Sequence, residues 1–367
     1  MVNGFIHKSE GGILILPQKR FTLNNYLWNP RSCFFRILFT SIICFIFIKF
    51  IFYQFKEPLF VFKTNKTIIP SKNKFLNFTI KFSNVQKDYL MEEPFIEPCK
   101  GKQIKLLVLI MSRRETFYKR MGIRKSWAKD LLEGIIIRFV IGGPKLKEEN
   151  STLLENKLQE EQKNFGDLIR YNIEDGYNNL HFKMGAAYQW QQKFCSNAEF
   201  VMKTDDDTIV DLPRLEFWIE KKFNNDIAQI PNKAAFFGMR LEHLPPIRNP
   251  GHKWYVSFEH FPGKTFPNYM QGASYFGNGK AIKLIMQHTK EAIGFNMDDI
   301  LFTGTLAEIA NVSRIDYAWT HFRGGNNLID DEHCEGGIPT VLTYFKQFQN
   351  KEEYIESYKE MHSLSCS

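Results

Sequence analysis

Three consecutive carboxylates, Asp205, Asp206 and Asp207, follow an apolar run inside Ala198–Val210, which reads AEFVMKTDDDTIV. A short apolar run of this kind has the pattern of a buried strand. Adjacent acids repel one another, so their place at a strand end calls for a reason. In an extended chain Asp205 and Asp207 face one side and Asp206 the other. Two same-side carboxylates form a hard-oxygen site for Mg or Mn, open enough to admit phosphate oxygens. A plainer account is also open on these residues alone. Acid triplets occur in solvated turns, and the helical pattern from Leu212 leaves Asp211 or one of the three as a helix cap.

The surrounding pattern sets the fold class. Ile104–Ile110 and Gly134–Ile141 read as further strands. Helical patterns run through Arg120, Arg124 and Trp127, over Ser151–Lys163, and over Asn179–Phe194. Alternating strands and helices predict an α/β fold with a mostly parallel central sheet, whose ligands bind at the carboxyl ends of strands. The acid triplet sits at such an end. Gly142-Gly143-Pro144 reads as a turn, and neither a G-x-G-x-x-G nor a P-loop sequence is present, so dinucleotide and P-loop chemistry are unsupported.

With 367 residues, the chain has room for one catalytic domain and appendages. The formal charge of +8 raises the question of nucleic acid. Its basic residues are scattered, with one group between Lys56 and Lys87, and no helix carries a basic stripe. A nucleic-acid role is set aside.

Ile37–Tyr53 is apolar on all sides and just long enough to cross a bilayer, with Lys49 near one end. The expected organisation is a cytoplasmic tail over 1–36, a transmembrane signal anchor over 37–54, a stem over 55–100, a catalytic domain over 101–350 and a tail over 351–367. Basic residues flank both sides of the span, so charge barely sets its orientation. Four N-x-S/T triplets follow it, at Asn65, Asn77, Asn150 and Asn311, which favours a lumenal C-terminal portion. Cys33 and Cys44 lie at the span. Cys99, Cys195, Cys334 and Cys366 allow three disulfide pairings, among which the sequence does not choose.

Several blocks, in order, resemble the inverting β-1,3-glycosyltransferases, the galactosyltransferase family 31. They are Lys119–Trp127, Phe139–Gly142, Phe165–Asp167, Asp175–Leu180 with Lys183, Lys203–Asp207, Lys253–Tyr255, Phe266–Tyr269 with Gly272 and Tyr275, and Asp298–Gly304. The resemblance spans residues 104–345. It implies a GT-A type glycosyltransferase fold, a UDP-sugar donor, Mn2+ or Mg2+, and a single-pass type II protein of the Golgi membrane. The acceptor it implies is a glycan on glycoprotein or glycolipid, and the partners a homodimer copy or another transferase.

Departure of a sugar nucleotide loads charge onto a diphosphate, which a cation held by Asp205 and Asp207 neutralises. Asp206 is expected to bond backbone or ribose. Arg120 and Arg124, one helical turn apart, offer planar donors for phosphate or base, with solvated helix charges as the alternative. By resemblance Lys183 is a further phosphate ligand, and Asp175 and Asn179 hold uridine or the loop over it. Inversion requires a base for the acceptor hydroxyl. The family's second acid carries over to Asp299, with Asp298 standing where Glu is usual; helix capping at Ile300–Ala310 is the rival role. Trp254, Tyr255, Tyr269 and Tyr275 are candidate aromatic walls for the acceptor or, alternatively, core residues, and Gly272 marks a close backbone approach or a turn.

One departure stands out. Family members commonly carry a metal-associated histidine near the C-terminus, and the aligned residue here is Phe345. His321 and His333 are the nearby histidines. Galactose is the favoured donor sugar, N-acetylglucosamine the alternative, and a non-catalytic glycan-binding or partner role the rival from another class.

Overall fold

The computed structural model describes residue 94 and residues 97–145, 151–292, 296–318, 320–324 and 334–366. The apolar run Ile37–Tyr53, most of the stem, Asn65, Asn77, Asn150 and His333 lie outside these residues. Among the described residues no helix is long and apolar enough to cross a membrane.

Strand β1 (Ile104–Met111) is an almost unbroken apolar run, as a central strand covered on both faces requires. It lies parallel to β2 (Ile135–Gly143) on one side and to β4 (Ala198–Asp205) on the other. Helix α1 (Phe117–Lys125) connects β1 to β2, and α2 (Ser151–Phe165) connects β2 to the parallel β3 (Leu168–Glu174). A single turn over Tyr177–Asn179 leads into α3 (Leu180–Phe194), which returns the chain to β4.

Beyond β4 the sequence becomes a mixed sheet. The short β5 (Thr208–Val210) is followed by α4 (Leu212–Trp218), capped by Asp211 accepting from the Arg214 amide at 3.0 Å. The helix continues through a wider turn at Ile219–Phe223 into α5 (Asn224–Gln229). Strands β6 (Ala235–Leu241) and β7 (Tyr269–Asn278) are antiparallel to each other, and β7 inserts antiparallel beside β4. Helix α6 (Gly279–Gln287) then starts on an Asn278 cap. A wide helical segment over Ile300–Leu306, ending in α7 (Ala307–Ile309), precedes β8 (Ser313–Asp316), which is parallel to β6.

The sheet order is β3-β2-β1-β4-β7-β6-β8. Four of its six pairings are parallel (β3-β2, β2-β1, β1-β4, β6-β8), so the expected α/β sheet is present with an antiparallel strand at its centre. Met184, Ala187, Ile282 and Ile285 from α3 and α6 fill one apolar layer; Ile123, Leu158, Leu215 and Trp218 from α1, α2 and α4 fill the other.

Two smaller sheets complete the unit. Strands β9 (Phe322–Gly324), β12 (Thr343–Phe345) and β5 form one, with β12 in the middle. Strands β10 (Cys334–Glu335) and β11 (Ile338–Pro339) form the other. Helix α8 (Lys351–His362) follows, with Asn350 accepting from the Glu353 amide and the Glu353 carboxylate accepting from the Gln349 amide, both at 3.0 Å. The disulfides pair Cys99 with Cys195 and Cys334 with Cys366, one of the three arrangements left open.

Two local expectations are corrected. Gly142 and Gly143 belong to β2 and are not a turn. A Cβ on Gly142 would come within 2.8 Å of the Ile173 carbonyl oxygen and of the Asp175 side chain, so this strand end needs glycine for close approach. The acid triplet is also not extended: β4 ends at Asp205, and Asp206 and Asp207 form a turn into β5.

Candidate active site

The turn is built around Asp206. Its amide donates to the Met111 carbonyl at 3.2 Å, drawing the end of β4 onto the end of β1. Its buried carboxylate accepts from Ser112 Oγ (2.9 Å), Thr116 Oγ1 (2.8 Å) and Lys119 Nζ (2.9 Å). Thus Asp206 fastens β4 to the start of α1 through side chains, in place of the backbone or ribose partner expected of it.

Asp205 and Asp207 are left more open, with 40% and 38% of their side chains exposed. Asp205 accepts from Lys203 Nζ at 2.7 Å. Lys119 Nζ stands 3.8 Å from Asp207. Lys203 is buried, and its ammonium also donates to the Gly272 carbonyl in β7. Burial alone would lower the Lys203 pKa; the charges of Asp205, Asp298 and Asp299 outweigh it and hold the pKa above its ordinary value.

Asp298 and Asp299 open the wide helical segment and come into the same field. The Asp299 carboxylate accepts from the Ile300 amide at 2.9 Å, and its carbonyl accepts from Thr303 Oγ1 at 2.6 Å. It therefore caps the segment while its second oxygen faces Gly272, where a Cβ would lie 2.9 Å away. Gly272 is a point of close approach between β7 and this acid.

Burial, then the neighbouring Asp298 charge, raises the Asp299 pKa to about 7. Asp205 is raised to about 6, by burial first and by Asp207 and Asp298 next, with Lys203 opposing. Asp207 is raised too, chiefly by burial, against the pull of Lys119. Carboxylates in excess of their cations share one space and resist ionising together.

Tyr177 and Tyr269 join this group. Burial and then Asp299 push both phenols above their ordinary range. Tyr177 also lies under the Lys253 ammonium, 4.8 Å from its ring centre, which brings the exposed Trp254 and the half-buried Tyr255 to the same rim. Tyr275 does not line it: the residue is fully buried, its hydroxyl 3.2 Å from that of Tyr188, so it belongs to the core.

The basic residues assigned to phosphate have other work. Arg120 is fully buried. It spends its guanidinium on Glu161 (2.8 and 2.7 Å), Ser112 Oγ (3.1 Å) and the carbonyls of Arg113 (2.6 Å) and Arg114 (3.4 Å). All five N–H donors are engaged, and none is left for a ligand. Arg124 pairs with Asp167 and Glu161 and lies between the rings of Phe139 and Phe165. The expectation of nucleotide donors at these two positions is corrected: they lock α1 to α2.

Lys183 is buried as well, donating to the Ser112 carbonyl at 2.6 Å and to Asp175 at 3.0 Å. Asp175 also accepts from the Arg114 amide at 3.0 Å. This pair shapes the loop after β1 from beneath. Asn179 bonds the Glu174 carbonyl at 3.0 Å and keeps its place at the rim of α3. Asn311 is exposed in a left-handed turn (φ 54°).

His321 does not replace the missing histidine. It is buried among Trp218, Phe223 and Tyr317, and burial lowers its pKa to about 3. Phe345 pairs with Thr208, directly after the triplet. Among the described residues no three His, Cys, Asp or Glu side chains converge as a ready metal cage.

The sequence reading missed Lys203, Lys119 and Tyr177 as site residues. The signal for Lys203 was present: it lies two residues before Asp205 on one strand, hence on the same face. Lys119 and Tyr177 carried no such spacing.

Acids gather beyond the strand ends of an α/β sheet, beside one buried lysine, where such sheets bind their ligands. The class becomes specific on comparison: the family model described as galactosyltransferase matches residues 118–318, and the chain belongs to that family and is a hexosyltransferase. It is 27% identical over 284 residues to a Danio rerio lactosylceramide 1,3-N-acetyl-beta-D-glucosaminyltransferase B, covering 73% of this chain and 72% of the relative. A Mus musculus beta-1,3-galactosyltransferase 2 is 28% identical, covering 60% of this chain and 51% of its own. A Mus spicilegus UDP-GalNAc:beta-1,3-N-acetylgalactosaminyltransferase 1 is 29% identical, covering 52% and 57%. Among solved structures, apo mouse xyloside xylosyltransferase 1 covers 66% of this chain and 97% of its own at 11% identity, with a TM-score of 0.32, too slight a likeness to assign a fold.

Proposed function

We propose that this chain is an inverting β-1,3-glycosyltransferase that moves a hexose from a UDP-sugar to a hydroxyl of a glycan on glycoprotein or glycolipid. The observation that carries this is the meeting of Asp205 and Asp207 with Asp298 and Asp299 around Lys203, in a member of the galactosyltransferase family. The three relatives named above differ in the sugar in their names and share the 1,3 linkage. Galactose is the first donor to test and N-acetylglucosamine the second. The proposed setting is a GT-A type fold held in the Golgi lumen by the apolar run Ile37–Tyr53.

The acid surplus fits a divalent cation. Asp205 and Asp207 stay partly open, and both pKa values are raised by burial first and by neighbouring acids next, against the pull of lysine. Mn2+ or Mg2+ bound there would draw the rest of its shell from phosphate oxygens and water, and would neutralise charge on the departing diphosphate. Asp299 takes the proton of the acceptor hydroxyl as that oxygen attacks the sugar carbon. Lys203 holds Asp205 and the Gly272 carbonyl together, which fixes β7 against β4 beside the base. Trp254 and Tyr177 offer ring faces to the acceptor.

The test is UDP release by the purified full-length chain with Mn2+, over a panel of UDP-galactose, UDP-N-acetylglucosamine and UDP-N-acetylgalactosamine. Asp299→Asn should abolish transfer while UDP binding persists. Equal loss of both would assign Asp299 to capping alone. Phe345 beside the acid turn favours one second reading, a family member that binds glycan without transferring it. Calorimetry with UDP and Mn2+ separates the two, since absent binding would remove the transferase reading.

A further inference from the structure

The acid turn is gripped from a part of the chain that the family match, ending at residue 318, does not include. Strand β12 pairs with β5 so that Phe345 stands opposite Thr208. The Lys346 amide donates to the Asp207 carbonyl at 3.2 Å. From α8, the Tyr354 hydroxyl donates to the Asp206 carbonyl.

Tyr354 is itself tightly placed. It is fully buried, and its ring stacks on Phe348 with centroids 4.1 Å apart. The ring also covers Gly122 of α1, where a Cβ would come within 2.5 Å of it. Gly122 lies three residues after Lys119, whose ammonium holds the Asp206 carboxylate. Asp206 is therefore fixed at its amide by Met111, at its carboxylate by Ser112, Thr116 and Lys119, and at its carbonyl by Tyr354. The next peptide plane begins at that carbonyl, and it orients Asp207.

We propose that Tyr354 is a positioning residue for the nucleotide site: its hydroxyl fixes the Asp206–Asp207 peptide and so aims the Asp207 carboxylate. This rests on the reading of Asp205 and Asp207 as the cation and diphosphate site. The hydroxyl does not touch substrate; it acts through the turn.

Tyr354→Phe keeps the ring and removes only the donor. Two measurements on the full chain test it. Hydrogen exchange over residues 203–210, without ligand, should quicken, and affinity for UDP with Mn2+ should weaken about threefold to tenfold, the range of one hydrogen bond. Gly122→Ala, whose Cβ crowds the ring from α1, should act in the same direction. Tyr358→Phe, on the same helix but stacked on His362, should change neither. Unchanged exchange and affinity in Tyr354→Phe overturn the proposal. Faster exchange with unchanged affinity also overturns it, leaving Tyr354 a structural brace. If the unaltered chain binds no UDP with Mn2+, the nucleotide reading itself fails and the positioning role falls with it, an outcome distinct from equal binding by both proteins.

Discussion

Gly272→Ala probes the candidate base without touching it. An added Cβ would lie 2.9 Å from Asp299 Oδ2, 3.3 Å from its Cγ and 3.5 Å from its Cβ. Ordinary contact begins at about 3.4 Å, so the carboxylate must retreat by about 0.5 Å. Its other oxygen is held by the Ile300 amide and its carbonyl by Thr303, so the shift falls on the side-chain torsions. Misplacing a reacting group by about 1 Å costs on the order of a hundredfold, so a displacement of half that size should lower kcat by about tenfold, roughly 1.4 kcal/mol of barrier. Gly272 is not among the residues with positive φ, so alanine adds no backbone strain there. Initial rates at saturating UDP-sugar and acceptor, beside thermal melts, give the readout. Gly176→Ala is the control, since a Cβ there meets nothing within 4 Å. A kcat within about twofold of the unaltered chain, with the fold intact, would refute the placement of Asp299 at the reacting hydroxyl.

Three further outcomes are expected. Asp299, raised to about 7, and Asp205, raised to about 6, bind protons more readily folded than unfolded. Between about pH 4 and pH 7 the folded chain thus holds the extra protons, so metal-free stability should fall as pH rises, while kcat rises as Asp299 ionises. Thermal melts across that range and a pH–rate profile check both signs, and Asp299→Asn should flatten the melt dependence. Glu161→Ala should destabilise by about 3–5 kcal/mol in urea titration, because it strands the buried Arg120 and leaves Arg124 half paired. UDP affinity of the folded fraction should hold; a selective loss of affinity would return these arginines to the ligand. Trp254→Ala should raise acceptor KM severalfold with donor KM unchanged, since its ring is half exposed at the rim; a reversed split would move it to the donor side.

The main strands of the sheet were legible because β1, β2 and β4 are apolar runs that only a doubly covered strand tolerates. Asp205 and Asp207 were legible as candidates because acids crowded at a strand end call for a reason, and Asp298 and Asp299 because their block resembles the family's acid pair. Their meeting was not legible, since it depends on β7 inserting antiparallel beside β4. Arg120 and Arg124 misled for a related reason: helical spacing placed them on one face, but their partners Glu161 and Asp167 come from another helix and its loop. A local pattern reports which way a side chain points and not which charge awaits it. Asp206 shows the same limit, since alternation described a strand that had already ended.

The pairing of β5 with β12 has a consequence for biosynthesis. Thr208 and Phe345 are strand neighbours, and Tyr354 reaches Asp206 across 148 positions of sequence. A ribosome delivers the acid turn long before it delivers Lys346 and Tyr354, which hold the carbonyls of Asp207 and Asp206. The central sheet has its parallel strands at hand early, whereas the turn must wait, and closing so long a loop is slow. A nascent chain halted between the two would display a formed sheet with a loose acidic turn, a state that folding factors could recognise as unfinished.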